Sequence, residues 1–166
     1  ATQLKSLNVG GNRQLTSLAG IPIGEMVDLH ANDCGLSGDL SALIGAPKMR
    51  YIDVGFNPKL VSLNGIPTRR MRSLFASNCG LTGDLSALAG ATRLKELQVD
   101  VNERLTSLRG VSLERLEQIY AHTCGLTGDH TFLSQGTRLK VVMLEDSTAD
   151  LFIDRKQFNK TVVIEV

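Results

Sequence analysis

One tripeptide returns at a fixed interval along this chain. Cys34-Gly35-Leu36, Cys79-Gly80-Leu81 and Cys124-Gly125-Leu126 lie 45 residues apart, and Leu4, Met49, Leu94 and Leu139 keep the same period. Each 45-residue block divides again: Leu4-x-x-Leu7-x-Val9 is echoed by Met26-x-x-Leu29-x-Ala31, and the pattern restarts at Met49, Met71, Leu94, Leu116 and Leu139. The steps between starts alternate between 22 and 23 residues. A unit this short cannot bury its own apolar face, whereas stacked units share one continuous core. The repeat therefore points to a solenoid rather than a closed globule. We read residues 1–166 as one repeat domain, with coils starting at 4, 26, 49, 71, 94, 116 and 139 and a terminal strand over 161–166. The first coil begins close to residue 1 without a capping element. That makes a segment of a longer chain, or self-association through the uncapped N-terminal coil, the expectation.

Within each coil, the x-Leu-x-Leu stretch has the alternation of a strand, with successive side chains facing in and out. The position that follows carries Asn in odd coils (Asn12, Asn57, Asn102) and Cys in even coils (Cys34, Cys79, Cys124). This pattern resembles the leucine-rich-repeat family, whose segment reads L-x-x-L-x-L-x-x-N/C-x-L at a period of about 20–29 residues. The even coils continue as CGLSGDLSALIGA and CGLTGDLSALAGA, similar to plant-type repeats, while odd coils place two residues rather than one between Asn and the next Leu. The resemblance implies an α/β solenoid: a right-handed horseshoe segment with a parallel concave sheet and short helical or 3-10 turns on the convex side. Asp39 and Asp84 are the expected caps of those turns. His130 falls where the earlier copies have the inward Leu40 and Leu85.

The ladder residues have a structural reading. An Asn amide donates to carbonyls of the neighbouring turn, and Cys fills the same volume with a weaker donor. Cysteines in alternate coils stand roughly 9–10 Å apart, beyond the about 4.4–6.8 Å that a disulfide spans between Cα atoms. Three buried thiols with no bridge lean towards an intracellular, reducing compartment. Asn159-Lys160-Thr161 matches a glycosylation sequon, a short pattern common by chance. No apolar run reaches the length of a bilayer span. The chain has no G-x-S-x-G, H-E-x-x-H, C-x-x-C or phosphate-binding loop, so it reads as a non-enzyme without cofactor or metal. One column, Asp100, His122 and Glu145, repeats at equivalent outward positions and is the single place where a cation or a tuned imidazole could be accommodated.

Outward strand positions lie two, four and six residues after each coil start. With the seventh, they include both tyrosines, two of the five phenylalanines and seven carboxylates, and no Lys or Arg. Exposed aromatics among acids have the composition of a binding surface. The candidate partner-binding residues are Tyr51, Asp53, Phe75, Glu96, Gln98, Asp100, Tyr120, His122 and Met143, and the expected partner is a protein with a basic and apolar surface. The basic residues lie elsewhere: Lys48, Arg50, Arg70, Arg72, Arg93, Lys95, Arg115, Arg138 and Lys140 flank successive coil starts. This ridge offers a second reading, a polyanion site for nucleic acid or acidic lipid. Without aromatic side chains for base stacking, nucleic acid ranks below protein. A third possibility is a targeting or regulatory segment of a larger enzyme.

Overall fold

In a computed structural model of the chain, which describes residues 3–147, 151–158 and 162–166, the main sheet has eight strands. They are Ser6–Asn8, Asp28–His30, Tyr51–Asp53, Ser73–Phe75, Glu96–Gln98, Gln118–Tyr120, Val141–Met143 and Val163–Glu165. Each pairs in parallel with the next coil's strand, in unbroken sequence order. The register repeats the sequence alignment: Leu29 opposes Ile52, Ile52 opposes Leu74, and Leu74 opposes Leu97. These central strand residues are fully buried, while their neighbours on either side are half-exposed. One apolar core runs through the stack from Leu18 to Phe158.

The convex side carries 3-10 turns and no α-helix among the described residues, at Ser41–Leu43, Ser86–Leu88, Thr131–Gln135 and Arg155–Gln157. No helix there is long and apolar enough to cross a membrane. Asp39 and Asp84 sit one residue outside the expected cap position, which Leu40 and Leu85 occupy. They still terminate the turn, because each carboxylate accepts the N–H two residues on, from Ser41 at 2.9 Å and Ser86 at 3.0 Å. Those bonds hold both carboxyls below the usual Asp range. A minor ladder runs beside the turns: Ser37–Gly38 pairs with Lys59–Leu60, and Gly128–Asp129 with Leu151–Phe152.

The ladder residues close the interior. Asn57 Nδ2 donates to the carbonyls of Ala31 (3.0 Å), Val54 (2.7 Å) and Gly55 (3.1 Å), and its Oδ1 accepts the Leu36 N–H at 3.0 Å. Asn102 repeats this set with Ala76, Val99, Asp100 and Leu81. In the coils between, the thiols of Cys34, Cys79 and Cys124 donate to the Val9, Val54 and Val99 carbonyls at 3.2–3.3 Å. All three cysteines are buried and unbridged, and burial pushes the thiols of Cys79 and Cys124 up to about 11. The glycine after each Cys is required by close approach. A Cβ on Gly80 would lie 2.5 Å from the Pro58 carbonyl oxygen of the coil before.

His130 does occupy the inward Leu position, and it is buried. Its Nε2 accepts the Leu108 N–H at 3.2 Å while Nδ1 lies 3.3 Å from the Gly128 carbonyl, an arrangement that the neutral ring with its proton on Nδ1 satisfies at both ends. Desolvation lowers its pKa accordingly. The sequon at 159–161 lies outside the described residues.

Candidate functional site

The alternation that buries Ile52 turns Tyr51 and Asp53 to the concave face, and the same holds in every coil. The parallel register then decides which outward side chains meet. Tyr51 stands between Asp28 and Ser73, and Asp53 between His30 and Phe75. Rings on adjacent strands touch diagonally. His30 and Tyr51 have centroids 4.7 Å apart at 37°, and Tyr51 and Phe75 lie 5.2 Å apart at 36°. Tilted pairs at such distances contribute about 0.5–1.5 kcal/mol each beyond their buried area. Burial, followed by the carboxylates of Asp53, Glu96 and Asp28, raises the pKa of the Tyr51 hydroxyl. Three rings thus cross coils 2 to 4 on the solvent side of the sheet, in a field set by acids.

Tyr120 is farther away than its residue type suggests. On its line along the sheet Phe75 pairs with Gln98, Gln98 with Tyr120, and Tyr120 with Met143. Gln98 therefore separates Tyr120 and Met143 from the ring cluster. It donates to Glu96 at 3.1 Å, and Tyr120 donates to Gln118 at 3.2 Å. His30 joins the cluster although its residue type and spacing gave it no role; only the diagonal ring contact with Tyr51 reveals it.

The Asp100 column resolves differently from its appearance in sequence. Asp100 is buried, and its carboxylate accepts from Ser77 Oγ at 3.1 Å and from the His122 N–H at 3.1 Å, with His122 Nε2 3.5 Å away. Glu145 contributes its backbone carbonyl to the Thr123 N–H instead. Among the described residues no three His, Cys, Asp or Glu side chains converge as a metal site. Asp100 and His122 hold two coils together at the edge of the sheet.

A further feature lies at the seventh position of each coil. Asp33, Phe56, Asn78, Val101, Thr123 and Asp146 all adopt left-handed backbone, φ 49° to 58°, where coil 1 has Gly11 at 79°. Each turns the chain out of its strand, and from Asp33 to Thr123 the N–H bonds the next coil, as Phe56 does to the Ser77 carbonyl at 2.8 Å. For Phe56 and Val101 this conformation costs about 1–2 kcal/mol with no local polar compensation. Phe56 is also 56% exposed, beside the ring cluster in sequence.

The basic residues line the opposite edge, where the chain enters each strand. Lys48 pairs with Glu25 at 2.6 Å. Glu117 sits between Lys95 at 2.8 Å and Lys140 at 2.6 Å, which lowers its carboxyl to about 2.

A solved structure shares this architecture throughout. Internalin C2 of Listeria monocytogenes superposes with a TM-score of 0.61 over 100% of this chain and 83% of that one, at 18% identity. This is a leucine-rich-repeat fold. A second internalin from that organism, inlF, matches at a TM-score of 0.51 and 16% identity, covering 98% of this chain and 60% of the other. No protein-family model matches the sequence, and no curated protein is significantly similar to it. The leucine-rich-repeat likeness therefore speaks for the fold, and the site has to speak for itself.

Proposed function

We propose that this leucine-rich-repeat chain is a protein-recognition module. Its concave strip, centred on Tyr51 and Phe75, takes a partner surface that carries Lys or Arg beside an apolar centre. One observation carries the reading: contiguous His30, Tyr51 and Phe75 rings lie on the face turned away from the core, in the field of Asp28, Asp53 and Glu96. No Lys or Arg occupies an outward strand position to neutralise those acids. Ring faces attract cations, and desolvated aromatic anchors dominate binding energy at interfaces. Gln98, Tyr120 and Met143 extend the strip, with Asp100 and His122 at its rim. The role assigned is binding rather than catalysis.

The test is capture by immobilised protein, with bound proteins identified and measured against two variant sets. Replacing Tyr51, Phe75 and Tyr120 with Ala should abolish capture of the specific partner. Replacing Arg70 and Arg72 with Glu should leave it intact. A partner that ignores the aromatic variants and is lost with the arginine variants would remove the concave face from consideration.

A further inference from the structure

We propose that the strand-entry edge is a second, independent binding site, an arginine ridge that holds a single extended chain of a sulfated polysaccharide. The ridge divides by residue type. Each of its three lysines is committed: Lys48 to Glu25, and Lys95 and Lys140 to Glu117. Its six arginines, Arg50, Arg70, Arg72, Arg93, Arg115 and Arg138, form no ion pair or side-chain hydrogen bond among the described residues, and all six are exposed. Solvation alone does not require that division. Lysine and arginine solvate an edge equally well, whereas the planar guanidinium fork matches an oxyanion with two parallel hydrogen bonds.

The backbone sets the spacing. The Arg72 N–H bonds the Arg50 carbonyl, and the Lys95 N–H bonds the Arg72 carbonyl, so these residues form one column with a step of about 4.8 Å. Arg70, Arg93, Arg115 and Arg138 form a second column two residues earlier in their coils. Together the columns make a continuous ridge about 20 Å long. Six unneutralised charges over that length attract a linear polyanion and release its counterions.

The surroundings choose among polyanions. Asp53 and Glu96 follow within three residues along the same strands, so a flat anionic membrane wide enough to cover the ridge would also meet the acidic sheet face. A single chain stays on the two columns, where Glu25 and Glu117 are already paired with lysines. No aromatic side chain stands in either column to stack on exposed bases, which argues against single-stranded nucleic acid. Among the described residues no helix or two-stranded ribbon projects from this edge to enter a duplex groove. Sulfate groups along a narrow polysaccharide meet all these conditions.

The probe is a heparin-derived dodecasaccharide titrated into the intact chain, with a single-stranded oligonucleotide of matched charge, vesicles containing anionic lipid, and polyglutamate in parallel. Heparin should bind with a slope of log K against log salt of about −3 or steeper. The triple variant Arg50→Ala, Arg72→Ala, Arg93→Ala should weaken it about tenfold or more near 0.1 M salt. The matching Arg→Lys triple should fall between that variant and the original, because charge survives but the fork is lost. Lys48→Ala with Lys140→Ala should change affinity less than about twofold, since those charges are already paired. Circular dichroism melts check that each variant is folded, and Tyr51→Ala with Phe75→Ala should leave heparin binding unchanged. Absent binding, or binding indifferent to Arg→Ala, overturns the site. An Arg→Lys triple equal to the original overturns the guanidinium assignment. Oligonucleotide, vesicle or polyglutamate binding as tight as heparin, with the same arginine dependence, overturns the polysaccharide assignment.

Discussion

The interior of this solenoid repeats and its concave face does not. Along the buried ladder Met49, Leu94 and Leu139 replace one another with near-identical volume, and Asn57 and Asn102 form the same four hydrogen bonds in successive blocks. The outward positions of the same strands read Asp28, Tyr51, Ser73, Glu96, Gln118 and Val141, with no period. A buried residue here answers to copies of itself above and below, and a change must suit both. An outward residue answers only to water and its lateral neighbours. Repetition therefore reports packing and backbone satisfaction. Clustering without repetition, as in His30, Tyr51 and Phe75, needs a cause outside the fold.

The sharpest way to break this contrast is at the Asn ladder. Asn57→Ala would orphan the Ala31 carbonyl and the Leu36 N–H in a dry interior and take one of two donors from the Val54 and Gly55 carbonyls, which keep the Cys79 thiol and the Asp33 N–H, and should cost about 3–4 kcal/mol by urea denaturation. Asn12→Ala, at an exposed end of the same ladder, should cost less than about 1 kcal/mol. Equal losses would mean that the ladder contributes volume and not hydrogen bonds.

Cys79→Ser comes next, at about 1–2 kcal/mol, because the hydroxyl is harder to bury than the thiol. The native thiols should also react slowly with an alkylating reagent, given burial and the raised pKa of Cys79 and Cys124. Phe56 offers an effect of opposite sign. Phe56→Asn should raise stability by about 1 kcal/mol, since Asn tolerates the left-handed backbone and the exposed ring gives up little packing.

The smallest effect is a pH dependence from His130. Its native pKa lies below the free value of 6.5, so between the two the unfolded chain holds the extra proton. Its contribution to stability is complete above about pH 6.5 and declines as the pH falls through that window towards the native pKa. His130→Leu restores the residue of Leu40 and Leu85 and should flatten this part of the profile in urea melts at several pH values. An unchanged profile would assign the dependence to other groups.

Much of the fold was legible in sequence, for the reason the contrast gives. Positions constrained by their own copies announce themselves at 45-residue intervals, so coil starts, strand faces, the Asn and Cys ladder and the inward place of His130 could all be read. The left-handed turn at the seventh position could not. Only coil 1 marks it with glycine, and Phe56 and Val101 hide it behind residue types that disfavour it. At the concave site, Tyr51 and Phe75 were legible because they fall on adjacent strands. The contribution of His30 depends on a diagonal ring contact, and the closure of Ser77 and His122 on Asp100 depends on side-chain reach; neither follows from spacing. The division of the ridge into paired lysines and arginines that form no ion pair among the described residues likewise depends on side-chain reach.

The most direct measurement of concave-face recognition is selection of a displayed random-peptide library on the immobilised chain, followed by affinities of the selected peptides for Tyr51→Ala and Phe75→Ala. Selected sequences should place Arg or Lys beside an apolar residue. Each truncation should weaken binding by about 2 kcal/mol, close to 30-fold, with stability little changed. Acidic peptides whose affinity falls with both truncations, or basic ones whose affinity survives them, would contradict recognition through this face.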